Sequence, residues 1–195
     1  MTVATQYLTL EEYLTYDDGT DTRYELVNGE RVAMTQPKGQ HGAIAEFLND
    51  EFRAESKRQD QPWTSKQMTV AIQSPRGGRW DTARIPDVMV LTLEQWRGLR
   101  NQETIIRLND PPPLLVVEVV SESTKNTDYR AKRVEYNVLN IPEYWIVDPT
   151  ENKIIVFSLI EDLYEVQQFT NSEPIASAIF SSLALTANQV LMAGE

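Results

Sequence analysis

The sequence lacks several residue types, and each absence excludes a class of site. None of its 195 residues is cysteine, which excludes disulfides, thiolate metal sites and cysteine nucleophiles. His41 is the single histidine, so a zinc site built from several histidines is excluded as well. A chain without cysteine suits a reducing compartment, and we expect a cytoplasmic protein.

Long apolar runs and an excess of basic residues are also missing. No run approaches the ~18 residues of a transmembrane helix, and the first residues lack the basic segment and apolar core of a signal peptide. We therefore expect no membrane partner. The net charge is −11, whereas a passive nucleic-acid binder usually presents a basic surface. This charge disfavours DNA binding without excluding it, because a local basic patch or a metal ion can supply the attraction.

The local patterns predict one domain over residues 1–195, with a mixed α/β (α+β) sheet and flanking helices. Thr9 with Glu12 three residues later predicts a capped helix, and Asn28-Gly29 predicts the turn of an N-terminal β-hairpin. Apolar residues at helical spacing predict helices over 41–59 and 128–140. Alternating or continuous apolar residues predict strands over 67–73, 84–91, 114–120, 143–149, 153–159 and 164–169.

A carboxylate stands in the middle of the most apolar predicted strand, "LLVVEVV" (114–120). Burying Glu118 is costly unless a partner offsets its charge. If the strand that begins at Asp87 pairs with this one, the two carboxylates meet at one end of the sheet, where they suit Mg²⁺ or Mn²⁺. A structural salt bridge from Glu118 to Arg84 or to a lysine is an alternative of about equal weight. Turn chemistry alone also accounts for Asp87 after Pro86.

The predicted helix after Glu118 carries a lysine among large side chains. Lys132 shares one face with Tyr129, Tyr136 and Leu139. A second apolar stripe on the opposite side contains Ala131, Val134 and Val138. The two stripes predict a helix buried on two sides, which would hold the lysine among packed groups where its charge needs a partner. The alternative is a lysine whose head reaches solvent.

The order Pro86-Asp87, Glu118 and Lys132, together with "YELVNGE", "HGAIAEFL", "VVEVVSEST" and "KRVEYNVLNIPEYWIVDP", resembles a known family. It is similar to the Uma-two family of restriction endonucleases, within the PD-(D/E)XK nuclease superfamily, from about residue 8 to residue 160. The resemblance implies a restriction-endonuclease-like core: a mixed sheet of at least four strands flanked by helices.

The resemblance assigns roles to five residues. Asp87 matches the metal-binding aspartate and Glu118 the acid of the (D/E)XK triplet. Val120 stands where the lysine of that triplet belongs, and Lys132 sits where the family supplies a lysine from the following helix. Glu25 and His41 match further positions typical of the family. For Glu25 an outward-facing strand carboxylate is the alternative, and for His41 a buried structural histidine.

The implied activity is Mg²⁺- or Mn²⁺-dependent hydrolysis of DNA phosphodiester bonds by a homodimer. Asp87 and Glu118 would hold the metal, and Lys132 would help to place the attacking water. A loop with Arg76, Arg79 and Arg84 could contact phosphates, although a solvated loop is the simpler expectation. The second hypothesis is a catalytically inactive nuclease-fold protein that acts as a dimeric binding module, which the net charge and Val120 favour.

Overall fold

A computed structural model describes residues 7–122 and 124–194. The helices are α1 (Leu10–Leu14), α2 (Gly39–Arg58), α3 (Leu93–Gly98), α4 (Arg133–Val138) and α5 (Ala187–Leu191). The strands are β1 (Tyr24–Val27), β2 (Glu30–Ala33), β3 (Trp63–Gln67), β4 (Ala71–Gln73), β5 (Ala83–Arg84), β6 (Val88–Thr92), β7 (Ile105–Ile106), β8 (Leu115–Val119), β9 (Glu143–Asp148), β10 (Lys153–Ile160) and β11 (Leu163–Thr170). A 3₁₀ turn, Leu99–Asn101, follows α3, and a π-helical segment, Thr127–Lys132, runs directly into α4.

The larger sheet has six strands in the order β11-β10-β9-β8-β6-β3. The β8–β9 pair is parallel and the other pairs are antiparallel. β8 lies in the interior of this sheet and is buried on both faces, as the apolar run around Glu118 predicts. One face packs against α2 and the C-terminal segment, and the other packs against α4 and the smaller sheet. The mixed α+β fold with flanking helices is therefore confirmed.

The smaller sheet has five short strands in the order β2-β1-β5-β4-β7. Its β1–β2 hairpin turns at Asn28 and Gly29, whose φ angles are +52° and +85°. Both residues occupy the left-handed region that an Asn-Gly hairpin turn requires, so the predicted hairpin is confirmed. The capped helix is confirmed as well, because the Thr9 hydroxyl accepts from the Glu12 N–H and the Glu12 carboxylate accepts from the Thr9 N–H.

The prediction of one strand over 67–73 is wrong. β3 ends at Gln67, and Met68 adopts a left-handed conformation with φ +46° before β4 begins at Ala71. This turn carries the chain from the larger sheet to the smaller one, and the Met68 N–H donates to the Asp87 carbonyl. A change of sheet depends on tertiary pairing, which the apolar alternation of "QMTVAIQ" does not encode.

The helix that carries Lys132 is not buried on two sides. Val134 and Val138, in the second apolar stripe, are 62% and 56% exposed. The other side is buried at Lys132, Glu135 and Tyr136. Burial on one side is enough to bury Lys132, because that side faces the strand that carries Glu118.

Among residues 7–122 and 124–194, no helix is both long and apolar enough to cross a bilayer.

Candidate active site

Asp87, which directly precedes β6, lies opposite Glu118 on the neighbouring strand β8. β6 and β8 pair antiparallel with Val88 across from Val117, so the next position in this register sets Asp87 across from Glu118. Both side chains are buried. The predicted meeting of the two carboxylates at one end of the sheet therefore has a simple cause, which is the β6–β8 register.

The Asp87 carboxylate is held from two sides. Its Oδ2 accepts from the Val119 N–H at 2.7 Å, and its Oδ1 lies 2.8 Å from His41 Nε2 in the first turn of α2. Burial lowers the pKa of His41, but the hydrogen bond and charge of Asp87 outweigh burial, so the net pKa of His41 is raised. The contacts with Val119 and His41 keep the Asp87 carboxylate in one orientation.

The Glu118 carboxylate also has two partners. Lys132 Nζ lies 2.7 Å from its Oε2, and the Tyr136 hydroxyl donates to its Oε1 at 2.7 Å. Burial and neighbouring carboxylates raise the pKa of Glu118, and Lys132 counters that rise. Burial opposes the charge of Lys132, but Glu118 and Asp128 raise its pKa above the ordinary value, so the amine stays cationic. The partner of the buried glutamate is thus a lysine, and not Arg84.

Asp128 is a member of this cluster that the sequence reasoning missed. It is buried, and its Oδ1 lies 3.0 Å from Lys132 Nζ. The contact is an ion pair rather than a well-directed hydrogen bond, since Oδ1 is buried with no hydrogen-bond partner among the described residues. Asp128 stands four residues before Lys132 on one predicted helix, and this spacing is a signal that could have identified the pair.

The turn that presents Asp128 and Lys132 is π-helical, from Thr127 to Lys132. Such segments are rare and occur frequently at functional sites. The Tyr144 hydroxyl donates to the Asp128 carbonyl at 3.1 Å and fixes the start of the segment against the larger sheet. The backbone that carries both charges is therefore anchored to the strand next to Glu118.

Glu25 belongs to a second ion-pair network. Its Oε1 accepts from the Ile85 N–H at 2.9 Å, and its Oε2 lies 3.0 Å from an Arg84 terminal nitrogen. Arg84 donates through Nε and its other terminal nitrogen to Glu135, at 2.8 and 3.0 Å. Glu25 is thus neither an outward-facing carboxylate nor a direct partner of Asp87 or Glu118. Through Arg84 it connects to the helix that carries Lys132.

The predicted basic loop needs a correction at Arg84. This residue lies in β5 and is 2% exposed, so it cannot reach a phosphate on the surface. Arg76 pairs with Glu135 at 3.0 Å and Arg79 with Asp81 at 3.3 Å. The charge of the loop is therefore committed largely to acids of the chain itself.

Asp87 and Glu118 offer hard oxygen donors of the kind Mg²⁺ and Mn²⁺ prefer. Three acidic side chains, those of Asp87, Glu118 and Asp128, stand around Lys132 and His41, so with all three ionised negative charge is in excess even when His41 is protonated. A divalent cation fits this imbalance. Within residues 7–122 and 124–194, however, no three histidine, cysteine, aspartate or glutamate side chains are grouped closely enough to hold an ion by themselves, so water or substrate would complete the coordination.

The fold is similar to that of a known crystal structure. It is described as "a putative nuclease belonging to DUF820 from Anabaena variabilis ATCC 29413", and the two chains superpose with a TM-score of 0.74 at 19% identity, covering 95% of this chain and 98% of that one. The family model "Uma2: Putative restriction endonuclease" matches residues 10–188. The chain therefore belongs to the Uma2 family. No curated protein matches it.

Proposed function

We propose that the protein is a divalent-metal-dependent endonuclease that hydrolyses DNA phosphodiester bonds. The observation that supports this most is the buried trio of Asp87, Glu118 and Lys132. Asp87 directly precedes β6 and lies across from Glu118 on β8, and the amine is 2.7 Å from Glu118. The description of the family as restriction endonucleases supports DNA as the substrate class.

Asp87 and Glu118 are the residues that would hold Mg²⁺ or Mn²⁺. Each oxygen of these carboxylates has one of the partners described above, and a carboxylate oxygen has two acceptor directions, so capacity for a cation remains. A metal bound there would lower the pKa of a water molecule and stabilise the charge that develops on the phosphoryl group.

The other residues of the cluster act on these acids or on the substrate. Lys132 remains cationic and would steady a phosphate oxygen or orient the attacking water. Tyr136 orients Glu118, and His41 orients Asp87. Glu25 is a positioning residue in this proposal, because it holds Arg84, and Arg84 holds Glu135 on the helix of Lys132.

The test is nicking of supercoiled plasmid with Mn²⁺ by wild-type protein, Glu118→Gln and Glu46→Gln. Glu46 is an exposed glutamate on α2, so its variant controls for the loss of one carboxylate. We expect cutting that Glu118→Gln abolishes and Glu46→Gln leaves intact. Equal cutting by all three proteins, or none by the wild type, would contradict the proposal.

A catalytically inactive, dimeric binding module is the second candidate. It is favoured because the oxygens of both acids already have partners within the chain and because three grouped metal-type side chains are not found among the described residues. A metal that binds only the folded state raises the melting temperature. No cutting and no rise with Mn²⁺ or Mg²⁺ would support the inactive module, and gel filtration with light scattering would test the dimer in either case.

A further inference from the structure

We propose that Asp128 is a positioning residue that holds the Lys132 ammonium when Glu118 engages a metal ion. The inference rests on the proposed function and adds a residue that the family motifs quoted above do not include. It follows from two contacts of one amine, 2.7 Å to Glu118 and 3.0 Å to Asp128.

Lys132 is shared between two carboxylates of different kinds. Glu118 lies on β8 opposite Asp87, so it is the acid placed to take part in metal binding. Asp128 lies on the same helical segment as Lys132, four residues before it. A cation on Glu118 would weaken the attraction between Glu118 and Lys132, and the buried amine would then need its other partner.

Asp128 has the capacity to be that partner. Its Oδ1 is buried, within charge-pair distance of Nζ, and has no hydrogen-bond partner among the described residues. Its contact with Nζ falls short of hydrogen-bond geometry, so a small rotation of the amine away from Glu118 and toward Asp128 would complete a hydrogen bond to this oxygen. The movement would keep Lys132 charged and in place while Glu118 serves the metal.

The experiment is a titration with Mn²⁺ alone, followed by thermal melting, on wild-type protein and on Asp128→Asn, Lys132→Met and the double variant. We expect Asp128→Asn to raise the Mn²⁺ concentration that gives half of the maximal rise in melting temperature. The increase should be at least about tenfold, which corresponds to a coupling of about 1.4 kcal/mol. In that variant the metal must compete with the lysine for Glu118. With Lys132→Met in the background, the same aspartate change should have little effect. Asp50→Asn, on the surface of α2, is the matched control.

The double variant distinguishes a positioning role of Asp128 from a simple attraction between Asp128 and the cation. If Asp128 acted only by attracting the cation, its loss would weaken Mn²⁺ binding equally with or without Lys132, and that result would overturn the inference. An unchanged midpoint in Asp128→Asn would overturn it too. The absence of any Mn²⁺ effect on wild-type protein would refute the metal site of the proposed function instead.

A metal-free cycle tests the sharing of the amine independently, and it decides the matter if Lys132→Met does not fold. Glu118→Gln and Asp128→Asn each leave Lys132 one carboxylate, whereas the double variant leaves it none. We expect the double variant to lose more melting temperature than the two single losses combined. Additive losses would show that the two acids do not share Lys132 and would overturn the inference.

Discussion

Arg84 is the residue whose replacement should reveal most clearly how the site is supported. It is 2% exposed and bonds Glu135 through two nitrogens and Glu25 through a third. Arg84→Met keeps the buried apolar stem but removes every one of these bonds. Removing one partner of a buried ion pair costs about 3–5 kcal/mol, because the charge left behind is uncompensated.

The expected loss of stability corresponds to a lower melting temperature. For a chain of this size each kcal/mol corresponds to about 2–4 °C, so Arg84→Met should melt on the order of 6–20 °C below wild type at pH 7. Arg79→Met is the matched control, since Arg79 pairs with Asp81 at the surface, where such pairs contribute about 0–1 kcal/mol. Circular dichroism melts in EDTA measure both.

The difference in melting temperature between wild type and Arg84→Met should also depend on pH. Burial raises the pKa of Glu135, but the hydrogen bond and charge of Arg84, with help from Arg76, outweigh burial and lower the net value. A carboxyl group with a lowered pKa in the folded state stabilises the protein above its unfolded pKa, and this stabilisation disappears as the pH falls through the folded pKa. The difference in melting temperature should therefore narrow as the pH falls below about 4.3, the ordinary pKa of glutamate. A melting temperature for Arg84→Met within a few degrees of Arg79→Met at pH 7 would refute the argument.

Two further substitutions test local features of the site and the hairpin. Tyr136→Phe removes the buried hydrogen bond to Glu118 Oε1 and should lower the free energy of unfolding by about 1–3 kcal/mol in urea denaturation. A loss below about 0.5 kcal/mol would mean that the hydroxyl does not hold the glutamate. Gly29→Ala places a Cβ 3.2 Å from the Leu8 carbonyl oxygen at φ +85° and should cost about 1–2 kcal/mol in the same assay. Gly39→Ala, where nothing lies within 4 Å of the new Cβ, is its control, and equal losses in both would contradict the strain argument.

Much of the fold is readable from local sequence because the forces concerned act over a few residues. The Thr9 capping box, the Asn28-Gly29 turn and the apolar face of α2 all form as predicted. α3 was not predicted, although its capping box of Thr92 and Gln95 is equally local and was available in the sequence. Strands β4, β5 and β7 of the smaller sheet were harder to identify, since they have only two or three residues each and depend on their neighbours.

The candidate site, like the fold, could be predicted from the sequence only in part. A carboxylate in an apolar strand must have a partner, so the sequence by itself determined that Glu118 would lie in a special environment, and residue order indicated Asp87 and Lys132. Only the tertiary structure decided which charges meet. The sequence offered both Arg84 and Lys132 as partners of Glu118. In the fold, β5 places Arg84 beside Glu25 and Glu135. The helical segment after β8 places Lys132 and Asp128 beside Glu118. Ion pairing depends on distance in space, and distance in space follows from strand register and helix placement.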